Sequence, residues 1–573
     1  MLSLFPLVFV VGSFLFLSIP LLHAPASQDD FWNFESARRL PETKIPLFYR
    51  GEIPHLEHPP LYLYLLGFFL RNFGQTLEVG RSLGILTGCL TLILFFCFCL
   101  IFYSHERHCF FLSIFSSLML ATSPMLIQGA QLIDIDGTIL CFSFSLLAFG
   151  WIIFGGVPSV RRDLGIGALF ALALWSKLVT PLFLPLGILV TALFSRRTKE
   201  LCSSLRPFGI GFVFFIATWF VYCLRQGVLS SFWDLIGYHL GAASVLFVQK
   251  ASSTFSLSKN FSALVRLGGW FSWPFLLLLG IGWFDRGERR ENSLVLRSLL
   301  SAILLASMSY LFTKGLSFSF PKYHIPFLPL FCLIAAWPLR GVHLEGRTIT
   351  LFLVCLVGLM LFQMVVVGDF LYPLLFGSRQ AVLEGRGSEI AIRLFQKGIL
   401  SFLAFLFAWG TVYLVERKRG LRQVFLLTLA AMVIATNLSQ AILQIQAPYA
   451  TGNLYGDSAR KETIALLKKI LQPGDILIAH DLIHFELGSF SSPFVAAHLW
   501  EDPEAILNLV EKEKARALVY SLSIHTVSQY RRTFLNPVFQ ERLRHFFERH
   551  DLGTYTVWVR KGPSRKGDRA RYE

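Results

Sequence analysis

The sequence predicts a polytopic α-helical membrane protein, with about 13 transmembrane helices and a small C-terminal α/β domain outside the membrane. Two observations lead to this prediction. Hydrophobic residues make up 54% of the 573 residues and charged residues only 15%, which suits a helical bundle in lipid. After Pro448 the long apolar segments stop, and a mixed composition with short strand-like runs follows.

Apolar segments of about 20 residues predict the individual spans. The two segments that flank Lys177 are too short for ordinary spans and predict half-helices or strongly tilted helices. Residues 61–73 follow Pro59 and Pro60 and predict a helix lying along the membrane surface. The first segment lacks the features of a signal peptide, so we expect a retained span. The predicted spans are 3–22, 82–103, 110–128, 133–155, 164–176, 178–194, 207–224, 269–284, 294–313, 324–339, 348–367, 397–415 and 421–443.

Basic residues predict the topology. The net charge is +16, and the basic residues cluster in short loops, which indicates positive-inside topology and argues against a nucleic-acid partner. With the N-terminus in the cytoplasm, every inner loop carries arginine or lysine. These inner loops are 104–108, 157–163, 195–200, 285–291, 339–347 and 416–420. The outer segments are then 28–62, 128–136, the turn at Lys177, 225–268, 313–322 and 368–397.

Three regions follow from this pattern. Residues 1–447 form the predicted transmembrane domain, whose first external loop, 23–80, is expected to be catalytic. Residues 448–562 form an external α/β domain, and residues 563–573 form a basic tail too polar to fold alone. Within the α/β domain, 457–471 predicts an amphipathic helix, and the predicted strands are 475–481, 516–523 and 554–561.

Asp29 and Asp30 are the first candidates for chemistry, because they open the first long polar interval of the chain. One explanation is structural, since an acidic pair at this point can cap a helix. The catalytic explanation is that one carboxylate acts as general base on an acceptor hydroxyl or amine, while its neighbour tunes it or holds a cation.

Asp134 and Asp136 open an apolar run close to the hydrocarbon, where an unpaired carboxylate costs about 3 kcal/mol. An acid there needs a partner or a role. On a helix, residues two apart point in different directions, so we expect only one of them to face the site. Lys177 lies between two apolar half-helices, where it either snorkels to the interface or, as we favour, holds a phosphate.

Lys322 and Tyr323 open a predicted span and serve either as an interfacial anchor or as a site for an anionic lipid head group. Glu57 precedes His58 and a Pro-Pro corner, and His239 lies in a long outer loop. A glutamate and a histidine together suit Zn²⁺, and a carboxylate pair suits Mg²⁺ or Mn²⁺. The nine cysteines lie in or beside apolar segments, so we expect neither a disulfide framework nor a cysteine metal site.

Six blocks of sequence follow one another in order along residues 20–340: DDFWNFESARRL, YRGEIPHLEHPPLYLYLLGFFLRNFG, VGRSLGILTGCLTLILFF, ATSPMLIQGAQLIDIDG, ALWSKLV and PKYHIPFLPL. Together they resemble the C-type glycosyltransferases, in the bacterial branch that includes lipid A aminoarabinose transferase and protein O-mannosyltransferase-like enzymes. The resemblance implies the C-type glycosyltransferase fold. It also implies transfer of a sugar from a polyprenyl-phosphate carrier at the outer face, with inversion at the anomeric carbon.

The resemblance assigns roles residue by residue. The acidic pair of that family, usually Asp-Glu, corresponds to Asp29 and Asp30, with a shorter second residue here. The aspartate at the start of a later helix corresponds to Asp136, with Asp134 the near alternative. The Lys-Gly turn corresponds to Lys177, although leucine replaces the glycine.

The same resemblance suggests a metal. The glutamate that precedes Lys-Pro in the family corresponds to Glu57, and His58 replaces the lysine. In the aminoarabinose branch a histidine of a later external loop joins that glutamate at a metal, and His239 is similarly placed.

The sequence therefore predicts an inverting glycosyltransferase in a bacterial inner membrane, with its active site and C-terminal domain on the periplasmic side. Lys177, Lys322, Tyr323 or a bound metal would stabilise the donor phosphate, and the acceptor would be a lipid, a glycan or a protein. The alternative is a lipid or solute transporter or flippase. A transporter would place ionisable residues near mid-bilayer in repeated halves, whereas this chain shows no repeat.

Overall fold

A computed structural model describes residues 5–24, 26, 28–47, 54–56, 58–155, 159–194, 198–237, 264–265, 267–284, 293–312, 321–342, 345–371, 385, 387–416, 420–446, 458–487, 499–522, 524–525 and 527–561. The chain divides into two compact units. The membrane unit comprises Met1–His23, Trp32–Leu371 and Leu394–Ile445. The α/β unit comprises Ala24–Phe31, Tyr372–Arg393 and Gln446–Glu573.

Long apolar helices dominate the membrane unit. Within the described ranges, seven helices are long and apolar enough to cross a membrane. A further pair, Cys109–Ala121 and Pro124–Gln131, is bent by 53° and counts as one broken span. Every predicted span has a helix in the corresponding stretch, which confirms the polytopic helical fold class. The seven long helices are Phe5–His23, Leu77–Phe102, Ser203–Arg225, Lys322–Gly341, Gly346–Val367, Ser388–Val415 and Leu421–Gln446.

The remaining helices of this unit are shorter or more polar. They include Leu61–Phe73, for which the sequence predicted a helix after Pro59 and Pro60. Two of them, Val160–Ser176 and Val179–Phe194, flank Lys177 as predicted. The others are Leu40–Thr43, Ile139–Phe154, Leu229–Ile236, Trp273–Phe284 and Ser293–Phe312, and the part of Gln28–Arg38 from Trp32 onward.

Side-chain caps and small residues explain where helices begin and how closely they pack. The hydroxyls of Thr76 and Ser159 accept hydrogen bonds from backbone N–H groups in the first turns of their helices, which satisfies donors that the helix itself cannot. Gly187 touches the helix Ser293–Phe312 so closely that a Cβ there would lie 2.3 Å from the carbonyl oxygen of Ser298. Only glycine permits this approach, as is typical of packed membrane helices.

The α/β unit is built on a four-stranded sheet in the order β1-β2-β4-β3. The strands are β1 (Leu477–Ile478), β2 (Ala517–Ser521), β3 (Phe547–Leu552) and β4 (Tyr555–Arg560). β1 and β2 are parallel, and the other pairs are antiparallel. Its helices include Ser458–Ile470, Asp481–Leu487, Pro503–Lys512 and Pro537–Phe546, with short turns of helix at Leu499–Glu501, Val527–Gln529 and Tyr530–Phe534.

Both faces of this sheet are covered. Leu518 and Tyr520 of β2 pack on one side with the helices Pro503–Lys512 and Pro537–Phe546. Ala517 and Val519 pack on the other side with Ser458–Ile470 and Asp481–Leu487. Every residue of β2 is therefore buried, which explains why this strand is a continuous apolar run that the sequence reveals.

The strand β3 is the one element of the sheet that the sequence analysis missed. Its sequence, FERHDL, carries three charged residues, and it pairs only with β4 at the edge of the sheet. Charged residues on an edge strand discourage pairing with other chains, and they also remove the apolar alternation by which strands are recognised. The hairpin to β4 turns at Gly553, whose φ of +59° suits glycine.

The α/β unit contains a histidine that makes its stability depend on pH. Nδ1 of His480, two residues after the end of β1, accepts a hydrogen bond from the backbone N–H of Leu482 at 3.2 Å. Burial, and to a lesser extent the charge of Arg460, lowers the pKa of His480 from 6.5 to about 4. Between these two values the unfolded state binds a proton that the folded state does not.

We therefore expect the unit to be fully stable above pH 6.5 and to lose about 1 to 2 kcal/mol between pH 6.5 and 4.5. The variant His480→Asn keeps an acceptor for Leu482 but cannot titrate, so its stability should fall less over this interval. Hydrogen exchange of β2 in the full chain, corrected for the intrinsic effect of pH, measures the stability of the parent protein and of the variant at each pH. If the stability of both proteins falls equally between pH 6.5 and 4.5, His480 is not the group responsible.

Candidate active site

The acidic segment 132–138 lies between two helices, Pro124–Gln131 and Ile139–Phe154. Here the chain folds back on itself, and Gly137 touches Gly129 so closely that a Cβ on Gly137 would lie 2.3 Å from the carbonyl oxygen of Gly129. The hydroxyl of Thr138 donates to the carbonyl of Asp134 and closes the segment. The two aspartates thus lie in a compact non-helical turn, where the sequence analysis expected the start of a helix.

Lys177 lies at a break between helices, and Lys322 begins a short 3₁₀ helix, Lys322–Phe327. The helix Val160–Ser176 ends immediately before Lys177, whose backbone is extended with φ −160° and ψ 133°. The next helix begins at Val179. Lys177 therefore lies outside both helices, and helical geometry does not set the direction of its side chain.

Two ion pairs join these segments. Nζ of Lys177 lies 2.8 Å from both carboxylate oxygens of Asp136. Nζ of Lys322 lies 3.1 Å from Oδ2 of Asp134. Both aspartates therefore face the same cluster, although we expected only one to do so. That expectation assumed helical geometry, and it does not apply because residues 132–138 form no helix.

Tyr323 connects the two pairs. Nζ of Lys177 lies 4.4 Å from the centre of its ring, and Nζ of Lys322 lies 5.8 Å from it. Both distances are within the range of cation–π attraction. The ring of Tyr310 stacks on Tyr323 with 5.2 Å between centroids, and its hydroxyl lies 3.1 Å from the hydroxyl of Thr180. Stacking on Tyr310 holds the ring of Tyr323 in place. The ring in turn contacts both ammonium groups.

The cluster is almost closed to solvent and carries no net charge. Side-chain exposure is 8% for Lys177, 1% for Asp136, 13% for Lys322 and 9% for Asp134. Isolated charges at such burial would be strongly unfavourable, so each charge depends on its partner. Of the three N–H groups of Lys177, two are directed at Asp136.

The loop that follows the first helix contains the helix Gln28–Arg38, which places Asp29 and Asp30 in its first turn. Asp30 is fully buried, while the side chain of Asp29 lies outside what the structure describes. Further along the helix, Nδ2 of Asn33 donates to the carbonyl of Ile133 at 2.7 Å. This hydrogen bond holds the middle of the loop helix beside the residue that precedes Asp134.

The rest of the loop is held by Ser36. Its hydroxyl lies 2.7 Å from the carbonyl of Leu47 and 2.7 Å from Nδ1 of His55. Burial lowers the pKa of His55 to about 4, so this imidazole is neutral at physiological pH. A neutral ring can donate from Nδ1 to the serine oxygen while the serine donates to Leu47. The loop therefore has a fixed conformation on both sides of residues 48–53.

The expected metal ligands Glu57 and His239 both lie outside the described residues. Among the residues that the structure does describe, no group of three His, Cys, Asp or Glu side chains is arranged to hold a metal ion. A divalent metal at Glu57 and His239 stays a prediction.

The structure adds three residues to the candidate site that the sequence did not reveal. Tyr310 and Thr180 lie within apolar helices, where nothing in the local pattern separates them from the side chains around them. Asn33 lies in the loop helix that the sequence identified, but its bond to Ile133 spans 100 positions of the chain. The pattern of residues near a position in the sequence does not reveal contacts between distant parts of the chain.

The chain has the C-type glycosyltransferase fold. Among solved structures it is similar to ArnT from Cupriavidus metallidurans bound to undecaprenyl phosphate, with a TM-score of 0.59 and 16% identity over 97% of this chain and 99% of that one. ArnT is a lipid A aminoarabinose transferase.

A second ArnT structure has the same fold. The apo state of the same ArnT gives a TM-score of 0.57 at 16% identity, covering 97% of this chain and 98% of that one. The arabinosyltransferase EmbB from Mycobacterium smegmatis is more distant, with a TM-score of 0.42 at 13% identity. No protein-family model and no curated protein matches the chain.

The buried ion pair predicts a measurable coupling. Asp136→Asn leaves the ammonium of Lys177 without its counter-ion, and we expect a loss of about 3 to 5 kcal/mol in unfolding free energy. Adding Lys177→Gln removes the second charge and should restore most of this loss. Unfolding in mixed detergent micelles measures the three variants, and their double-mutant cycle gives the coupling.

The exposed pair Glu389–Arg393 provides the control for this cycle. Its side chains are 40% and 69% exposed, so Glu389→Gln should cost less than about 1 kcal/mol. If the effects of Asp136→Asn and Lys177→Gln simply add, the two residues do not form the pair described.

Proposed function

We propose that this protein is an inverting glycosyltransferase that transfers a sugar from a polyprenyl-phosphate carrier to a lipid, glycan or protein acceptor. We further propose that it works in a bacterial inner membrane, with its active site on the periplasmic side. The observation that carries the proposal is the convergence of Lys177 and Lys322 on Tyr323, in a fold shared with a protein crystallised with undecaprenyl phosphate.

The cluster suits the phosphate of the donor. A polyprenyl-phosphate sugar carries one negative charge at the phosphate, and a second develops as the bond to the sugar breaks. Lys177 keeps one N–H free of Asp136, and Lys322 approaches the same aromatic ring. Two ammonium groups held before the substrate arrives stabilise the developing charge without reorganisation.

The acceptor needs a base, and Asp29 and Asp136 are the two candidates for it. Both oxygens of Asp136 are held at 2.8 Å by Lys177, which favours a role as counter-ion that orients this lysine. Asp29 is therefore the proposed base, with Asp30 as the neighbour that tunes it. No step is assigned to a metal.

The reaction then follows. The oxygen of an acceptor hydroxyl, or the nitrogen of an amine, attacks the anomeric carbon from the face opposite the phosphate. The bond between that carbon and the phosphate oxygen breaks, and the phosphate leaves with the electron pair. The carboxylate of Asp29 takes the proton of the acceptor. A single displacement of this kind inverts the anomeric carbon and forms no covalent intermediate with the enzyme.

The base is tested by Asp29→Asn, with Glu42→Gln as the control. Glu42 is an exposed acid of the same loop. The full chain in nanodiscs is incubated with radiolabelled polyprenyl-phosphate sugars and membrane extract as acceptor. We expect label in a new lipid, glycan or protein band for the parent protein and Glu42→Gln. Asp29→Asn should lower the rate by about 100-fold or more.

Either of two outcomes would count against this function. Undiminished transfer by Asp29→Asn would remove Asp29 as the base. Absence of transfer from every donor by the well-folded parent protein would favour a lipid or solute transporter, for which flux across proteoliposomes is the next measurement.

The phosphate site is tested by binding. Lys322→Met removes one ammonium group, and since a charged hydrogen bond contributes about 1.5 to 3 kcal/mol, undecaprenyl phosphate should bind about 10- to 100-fold more weakly. Lys397→Met is the control, because that ammonium binds the carbonyl of Asp369 instead. Native mass spectrometry of the full chain with added undecaprenyl phosphate compares the affinities. Equal weakening by both substitutions would contradict the site.

A further inference from the structure

The segment that carries the proposed base belongs to the α/β unit, although residues 32–371 separate it from the next part of that unit in sequence. Residues Ala24–Phe31 group with the C-terminal part of the chain. Asp29 and Asp30 lie within this segment, at the start of the helix Gln28–Arg38. What fixes the segment in the α/β unit therefore fixes the acidic pair.

Arg460 makes the contact that holds the beginning of the segment. It lies in the helix Ser458–Ile470 and is only 1% exposed, which is rare for an arginine. Its Nη2 donates to the carbonyl of Ala26 at 2.9 Å, and its Nε lies 3.0 Å from Oε1 of Glu486. The glutamate thus compensates and orients the guanidinium while another nitrogen reaches the backbone of the segment.

An aromatic contact holds the other end. The rings of Phe31 and Phe485 lie 5.1 Å apart with an interplanar angle of 51°. Phe31 is fully buried, and Ala26 is 1% exposed. The two contacts therefore lie on either side of Asp29 and Asp30, and their partners Phe485 and Glu486 are adjacent residues of the helix Asp481–Leu487.

Arginine is well suited to this position. Its planar guanidinium presents several N–H groups in a rigid fork, so one side chain can bond a carboxylate and a carbonyl in fixed directions. A lysine has one nitrogen and cannot reproduce both directions. Because Ala26 lies two residues before the helix begins, the hydrogen bond from Arg460 determines where the chain enters the first turn that contains the acids.

We propose that Arg460 is a positioning residue of the transferase: it anchors the segment that carries Asp29 and Asp30. This inference rests on the proposed function for its effect on the rate. The anchoring itself is independent of the reaction and is measured separately.

The test uses the full chain with Arg460→Gln, Arg460→Lys and the control Arg542→Gln. Arg542 lies in the same unit, but its pair with Glu504 is exposed, at 40% and 61% for the two side chains. Hydrogen exchange of peptides covering residues 24–38 reports the anchor. Exchange of β2 reports whether the α/β unit is folded. Sugar transfer is measured at saturating donor and acceptor.

For Arg460→Gln we expect faster exchange in residues 24–38, unchanged exchange in β2, and a kcat lowered about 10- to 100-fold. The KM for the donor should stay unchanged, because the phosphate site is formed by other residues. Arg460→Lys keeps the charge and should give a smaller change in both measurements, and Arg542→Gln should give none. A purely structural role of Arg460 would instead increase exchange in β2 and lower activity through loss of folded protein.

The outcomes separate this inference from the proposed function. If residues 24–38 exchange as in the parent protein and kcat is unchanged in both Arg460 variants, Arg460 does not position the acids, even if transfer occurs. If Arg460→Gln unfolds the unit, the exchange of residues 24–38 and the kcat of Arg460→Lys test the inference instead. If the parent protein transfers no sugar but Arg460→Gln still frees residues 24–38, the proposed function fails while the anchor stands.

Discussion

The pairing of Lys177 with Asp136, and of Lys322 with Asp134, is the interaction on which the candidate site depends. Each charge lies where water is almost absent, and each would be strongly unfavourable alone. Mutual compensation allows charged groups to be held in the apolar bundle, and the Tyr323 ring gives them a common surface. The helix breaks at residues 132–138 and at Lys177 make this possible, because they free side chains that a regular helix would direct elsewhere.

The α/β unit is stabilised mainly by apolar packing. Its sheet is covered on both faces, so the apolar residues of β1, β2 and β4 provide a rigid support with no unfilled side. Polar residues then occupy the ends of its elements, including Arg460, Glu486 and His480. A rigid support of this kind can hold a distant segment such as Ala24–Phe31 in one conformation.

Much of the fold could be predicted from the sequence, because apolar runs and alternation are local. Each predicted span has a helix, and β1, β2 and β4 lie within predicted strands. The charged edge strand β3 could not be recognised, since its neighbours and not its own composition make it a strand. The site was predictable in part: the sequence singled out Asp134, Asp136, Lys177, Lys322 and Tyr323, but not Tyr310 or Thr180, which resemble the apolar helices around them.

The sequence by itself determined which segments are apolar enough to enter lipid, that helices break at Lys177, and which ionisable residues are too unfavourable in an apolar environment to lack a partner or a role. These properties follow from residues within one or two turns of each other. Only the tertiary structure decided which charge compensates which, that both Asp134 and Asp136 face one cluster, and that Arg460 reaches the carbonyl of Ala26. Such contacts join residues that are 41 to 434 positions apart, and their energy depends on burial that exists only once the whole chain has packed.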